Sequence, residues 1–103
     1  LGAAACGLPA VLDGVISCTA ALAAVRICPL VADYLIASHC SDEPASKILL
    51  DKLGKEAFLN AGMRLGEGTG AAAGVVLLDL ALVPYREMET FEDIGVKAYQ
   101  PLK

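Results

Sequence analysis

The chain has 103 residues, 56% of them hydrophobic, with four cysteines and a formal net charge of −4. Its mean hydropathy of +0.60 is high for a single small domain. The acidic balance and the scattered Lys and Arg disfavour nucleic acid. A spanning helix needs about 20 uninterrupted apolar residues. Val15 to Val25 falls short and ends at Arg26, and Ala71 to Leu82 is interrupted by Asp79, so no membrane span is expected. The apolar excess is therefore read as faces that pack against more protein, either further chain or a second subunit. Leu1 to Cys6 reads as the end of a helix begun earlier, and no basic stretch resembling a signal peptide precedes the apolar residues.

In chain order, the helix end stops at Gly7. Pro9 to Asp13 is a short apolar run between Pro and Gly, which predicts a buried parallel strand. Gly14 makes the turn, Ser17 or Thr19 is placed to cap, and Ile16 to Cys28 is a buried, Ala- and Leu-rich helix closed by Pro29. Asp33 to Ser38 is a second strand, and His39 to Pro44 a polar turn. Ala45 to Leu53 puts Ile48, Leu49 and Leu53 on one face of an amphipathic helix that Gly54 ends. Glu56 to Gly62 is expected to form a short helical turn. Met63 to Gly70 is a glycine-rich loop, Ala71 to Val83 an apolar helix stopped by Pro84, and Glu87 to Gly95 an acidic surface helix. Val96 to Lys103 is a tail.

Strand, helix, strand, helix, glycine loop, helix predicts an α/β fold with parallel strands, a Rossmann-like three-layer fragment with an apolar helical C-terminal part. The whole chain is one such fragment, and the rest of its sheet is expected elsewhere, because two strands do not make a stable sheet alone. The cysteines Cys6, Cys18, Cys28 and Cys40 show no metal or redox spacing and read as reduced, three of them in apolar stretches where free Cys behaves as a small buried hydrophobe. No metal or cofactor is expected.

Ligands of open α/β sheets bind beyond the carboxyl ends of the strands. That rule selects Asp13 and Gly14 after the first strand and the His39 to Ser41 stretch after the second. It also selects the loop Gly66-Glu67-Gly68-Thr69-Gly70, which leads into a helix N-terminus suited to an anion. Glu67 is either a partner of the helix dipole or a functional acid or base. Asp13 is either functional or a cap of the helix that follows it. Ser41 is a turn residue or a ligand contact. A His39–Cys40 nucleophile pair is disfavoured, since neighbours on an extended chain point opposite ways. No G-K-[ST] follows the loop, so it is not a P-loop.

Four blocks resemble one family in order and spacing: LPAVLDGVIS (Leu8 to Ser17), DYLIASHCSDEP (Asp33 to Pro44), GMRLGEGTGAA (Gly62 to Ala72) and EMETFEDIGV (Glu87 to Val96). They are similar to the nicotinate-nucleotide–dimethylbenzimidazole phosphoribosyltransferases of cobalamin biosynthesis, over roughly the C-terminal third of that family's chain. The resemblance implies a cytoplasmic, homodimeric enzyme that moves 5-phosphoribose from nicotinate mononucleotide to a benzimidazole, giving α-ribazole 5′-phosphate and nicotinate. It makes Glu67 the catalytic base. It places Asp13, Gly14 and Ser41 at the nucleotide and Leu65 near the base, with Gly66, Gly68 and Gly70 shaping the loop. Cys40 and Asp42 depart from many relatives. The alternative is a non-catalytic subunit or interaction module that completes a site with another chain. A weaker third reading is an unrelated phosphate-binding module.

Overall fold

A computed structural model describes residues 1–97 and 99–101. It is a mixed α/β arrangement whose first half is packed and whose last long helix projects from it. α1 (Gly2–Ala5) closes where expected: Gly7, at φ +69°, donates to the Ala4 carbonyl, and Leu8 N–H returns to Ala3 O at 2.9 Å. Such a closure satisfies carbonyls the helix leaves unpaired. Pro9 prevents helix continuation, and β1 (Ala10–Leu12) follows.

The chain then crosses over through α2 (Val15–Ile27) to β2 (Leu35–Ala37). The two strands pair in parallel, Ala10 opposite Leu35 and Leu12 opposite Ala37. Neither Ser17 nor Thr19 caps α2 from outside, as had been expected. Gly14 is the residue before the helix; Ser17 lies in its first turn, accepts from Asp13 N–H at 2.9 Å and donates to Gly14 O at 2.9 Å. Thr19 donates back to Val15 O. The second strand is also shorter than expected, because Pro29–Tyr34 forms a 3₁₀ helix that takes up Asp33 and Tyr34 and buries Val31. Proline suits the first position of that helix, where an N–H is not needed.

α3 (Pro44–Leu53) starts one residue before the expected position, and Gly54 ends it at φ +64° with Lys55 N–H on Leu50 O. Leu12, Cys18, Ala21, Val31, Leu35, Ala37, Leu50 and Leu53 form the core between the two strands, α2 and α3. Burial pushes the Cys18 thiol up, so it behaves there as a small hydrophobe.

Glu56 to Gly62 is not helical. Leu59 lies beside His39 in a parallel bridge, donating to Ser38 O at 3.1 Å and accepting from Cys40 N–H at 3.0 Å. The open edge of β2 presents unpaired backbone groups, and satisfying them outweighs a weak local helical preference. This pairing leads straight into the glycine loop, which Asp42 N–H also holds through Met63 O at 3.0 Å.

α4 runs Thr69–Glu87, longer than expected at both ends and through Pro84. Proline removes one intrahelical bond, here to the Leu80 carbonyl. Leu80 is 61% exposed, so water can serve that carbonyl. At 19 residues, α4 is long and apolar enough to cross a membrane by length and composition, which overturns the run-length exclusion. Only Gly70 and Gly74 of this helix are buried, and every residue from Asp79 onward is exposed. The radius of gyration, 17.1 Å, reflects this projection; a compact domain of this size has about 13 Å.

After α4, the acidic stretch makes one turn rather than a helix. Thr90 N–H and Oγ1 both donate to Asp93, Asp93 N–H donates to Thr90 Oγ1, and Val96 N–H closes on Phe91 O. A capping box followed at once by Gly95 at φ +67° leaves no room for a second turn. The expected tail, Val96 to Lys103, includes Ala98, Leu102 and Lys103, which lie outside the described residues.

Two outcomes are expected. A Cβ at Gly74 would lie 2.7 Å from Ser38 Cβ and 3.3 Å from the Phe58 ring. Gly74→Ala therefore incurs overpacking of about 1–3 kcal/mol against about 1 kcal/mol of helix propensity, and the urea midpoint should fall. The Thr90 bonds lower the Asp93 carboxyl below its ordinary 3.8. A carboxyl lowered in the folded turn contributes stability above its unfolded value that is lost as pH falls through the folded one. The Thr90 amide resonance should therefore keep its turn position at neutral pH and lose it only below about pH 4.

Candidate active site

A cleft of about 540 Å³ opens beyond the carboxyl end of β1, and Glu43 of the loop after β2 reaches its wall. One wall is the start of α2, Gly14 to Ser17; another is the glycine loop, Arg64 to Glu67. Asp13 and Glu43 complete its charged lining with Glu67 and Arg64. Three carboxylates against one guanidinium make the cleft acidic.

Asp13 spans the two walls. Its Oδ1 accepts from Ala71 N–H at 2.9 Å and its Oδ2 from Gly68 N–H at 3.2 Å. It is a cap, but of α4, 58 residues away, and not of the helix that follows it. The anion site expected at the α4 N-terminus is thus filled by the protein's own carboxylate, favoured there by the free amides and the helix dipole. The end of α2 that faces the cleft carries no side-chain cap.

Gly66 and Gly68 sit at φ +80° and +77°, a region L side chains rarely adopt. Between them Glu67 is exposed on the cleft wall, and no described hydrogen bond or ion pair ties its carboxylate. Gly70 is required for another reason: a Cβ there would fall 1.9 Å from His39 Nδ1.

Five of the residues singled out by sequence, Asp13, Gly14, Leu65, Gly66 and Glu67, line the cleft together. Gly68 and Gly70, at the start of α4, are not on its wall. Ser41 is not on the wall. It is buried, its N–H donates to Ser46 Oγ at 3.0 Å, and its hydroxyl meets Glu43 Oε2 at 3.4 Å. Sequence reasoning passed over Glu43 and Arg64. Arg64 could have been noticed as the basic residue beside the glycine loop; Glu43 read as part of a solvated turn.

A parallel α/β sheet with a carboxylate-lined cleft beyond a strand end places the chain among the α/β folds that bind small molecules at that position. Comparison with known proteins narrows this. A family model described as "Phosphoribosyltransferase" (DBI_PRT) matches residues 1–96, and the chain belongs to that family. A nicotinate-nucleotide–dimethylbenzimidazole phosphoribosyltransferase of Acetivibrio thermocellus is 52% identical over 98% of this chain and 29% of its own. The enzyme of that name from Clostridium acetobutylicum is 52% identical over 100% of this chain and 29% of its own. The crystal structure of CobT from Thermus thermophilus superposes with a TM-score of 0.84 at 38% identity, over 94% of this chain and 29% of that one. The chain therefore spans under a third of the length of the relatives it matches.

Asp13→Ala removes the acceptor for two amides at the start of α4. The expected loss is about 1–2 kcal/mol, that of a helix cap, seen as a lower urea midpoint and faster exchange of the Gly68 and Ala71 amides.

Proposed function

We propose that this chain carries the catalytic half of the benzimidazole site of a nicotinate-nucleotide–dimethylbenzimidazole phosphoribosyltransferase, with Glu67 as the general base. The observation that supports this most is the placement of Glu67: exposed on the cleft and untied, on a loop whose far end Asp13 holds. A base must have a lone pair free to take a proton, and Glu67 is the cleft carboxylate with no described partner.

In the proposed reaction, one nitrogen of the benzimidazole attacks C1′ of nicotinate mononucleotide while Glu67 takes the proton from the other. The C1′–nicotinate bond breaks with its electron pair leaving on nicotinate nitrogen. Attack from the opposite face turns the β-nucleotide into α-ribazole 5′-phosphate. Positive charge builds on the ribose as in glycoside cleavage, and an acidic cleft stabilises it. Leu65, 70% exposed on the wall, offers an apolar contact to the flat base. With the start of α4 bound by Asp13, the uncapped end of α2 at Gly14, on the cleft wall, offers a helix terminus for the phosphate. Ser41 acts from behind the wall, by holding Glu43.

The exposed apolar side of α4 supports a role inside a larger assembly: Val75, Val76, Leu80 and Val83 are all open. We read it as a face covered in the working cytoplasmic enzyme by the remainder of the family's chain, with homodimerisation across further surface. The same face is what favours the second reading, a subunit that completes its site with another chain. Asp79 lies in this helix, and its glycines pack on the sheet, which suits a protein interior better than lipid.

The test is a chimera: the Clostridium acetobutylicum enzyme with its matching segment replaced by residues 1–103. Single-turnover formation of α-ribazole 5′-phosphate should be robust, and Glu67→Gln should slow it by about 10²–10⁴-fold, the usual contribution of a general base. A Gln variant as fast as its parent would remove Glu67 from the chemistry.

A further inference from the structure

His39 is buried behind the cleft, and nothing in the reaction above uses it. Its ring packs where Gly70 has no side chain. Its Nδ1 lies 3.2 Å from Ser38 Oγ and 4.0 Å from Asp13 Oδ1. The Ser38 hydroxyl has one proton, and that proton is given to Leu12 O. Ser38 Oγ can therefore only accept from the imidazole, which fixes the proton on His39 Nδ1. Asp13 Oδ1 lies 4.0 Å from the same nitrogen, outside hydrogen-bond distance, so the imidazole edge stands beside that carboxylate as a neighbouring dipole.

We propose that His39 is a positioning residue: its Nδ1 edge, oriented by Ser38, stands beside the Asp13 carboxylate, keeps it against the start of α4 and so fixes the loop that presents Glu67. The links are continuous. Leu12 O at the end of β1 holds Ser38, Ser38 orients His39, and His39 faces Asp13. Asp13 in turn binds Gly68, the residue after Glu67, and Ala71. Gly70 belongs to the device, since any Cβ there would displace the ring. The catalytic consequence rests on the reading of Glu67 above; the hold on Asp13 does not.

Substitution by Asn and by Gln separates a directed donor from a filler of space. An Asn amide nitrogen occupies the place of Nδ1, one bond from Cγ, whereas Gln is nearer to imidazole in volume but carries its nitrogen further out. On the 103-residue chain, amide hydrogen exchange at Gly68 and Ala71 is measured against Leu50 in α3. Local opening is read site by site in this way. His39→Asn should leave both amides near their parent rates, and His39→Gln should speed them by about tenfold or more with Leu50 unchanged. In an Asp13→Asn background the Gln substitution should add little, because contacts in one network couple. In the chimera, His39→Gln should lower kcat with little change in KM for nicotinate mononucleotide, and His39→Asn should restore it. Protection retained in Gln but lost in Asn, rates at Gly68 and Ala71 unmoved by either, or full additivity with Asp13→Asn would each overturn the proposal. The expected exchange pattern with kcat insensitive to Glu67→Gln would instead leave the hold on Asp13 standing and sink the reading of Glu67.

Discussion

The geometry of the cleft depends on one carboxylate. Asp13 leaves the end of β1 and binds backbone amides 55 and 58 residues further along the chain. Without that link, the described hydrogen bonds that tie the glycine loop to its surroundings are the Leu59 bridge and the Asp42–Met63 bond, both on its N-terminal side, and its far end is held by the packing of α4 alone. Two glycines in left-handed conformation make a loop with large freedom to lose. A fixed acceptor at its far end is what turns that freedom into a defined shape. Replacement of Asp13 thus acts on the cleft through the backbone as much as through charge.

The sheet that carries Asp13 is itself minimal. Two strands of three residues and one bridge give little hydrogen bonding, so the covering helices must contribute most of the stability. α2 and α3 do so around eight buried residues. α4 does so only through its first six residues, where Gly70 and Gly74 let it close on His39, Ser38 and Phe58. Beyond Leu78 it has nothing to bury against. That asymmetry agrees with a chain that spans 29% of its relatives' length: the half that touches described residues is built for contact, and the other half, with Leu80, Leu82 and Val83 exposed, is bare.

What the sequence made legible follows from how local each signal is. Gly7 and Gly54 end helices where their position implied, because the left-handed closure is decided by a few neighbouring residues. The apolar runs around Val11 and Ile36 were legible as strands from their own composition and flanking Pro and Gly. Some of the failures involve partners distant in sequence, and others are local. Glu56 to Gly62 became extended because β2 had an open edge, which no periodicity in that segment records. Pro84 stayed within α4 because the surrounding turn is exposed. Asp13 was read as a possible cap, correctly in kind, but the helix it caps lies across the cleft. Glu67, Asp13, Gly14 and Gly66 could be gathered beforehand because the strand-end rule is topological, and Leu65 only through the family resemblance. Glu43 and Arg64 could not, since a charged residue in a polar turn looks the same whether it faces solvent or a ligand.

Two carboxylates on one cleft thus take different parts because the backbone treats them differently. Both oxygens of Asp13 are engaged by amides, so its lone pairs are spent on structure and its charge is spread into the α4 dipole. Glu67 stands one residue from that same helix start, yet Gly66 and Gly68 turn the chain so that its own carboxylate leaves the amides and faces the cleft. Had Glu67 capped α4, the helix would gain what Asp13 now supplies and the cleft would lose its free acceptor. An acceptor brought in from β1 satisfies the helix from outside the loop, which leaves the loop's own acid untied on the cleft wall. Environments that push two like groups toward different roles are how one site assigns a structural and a reactive carboxylate.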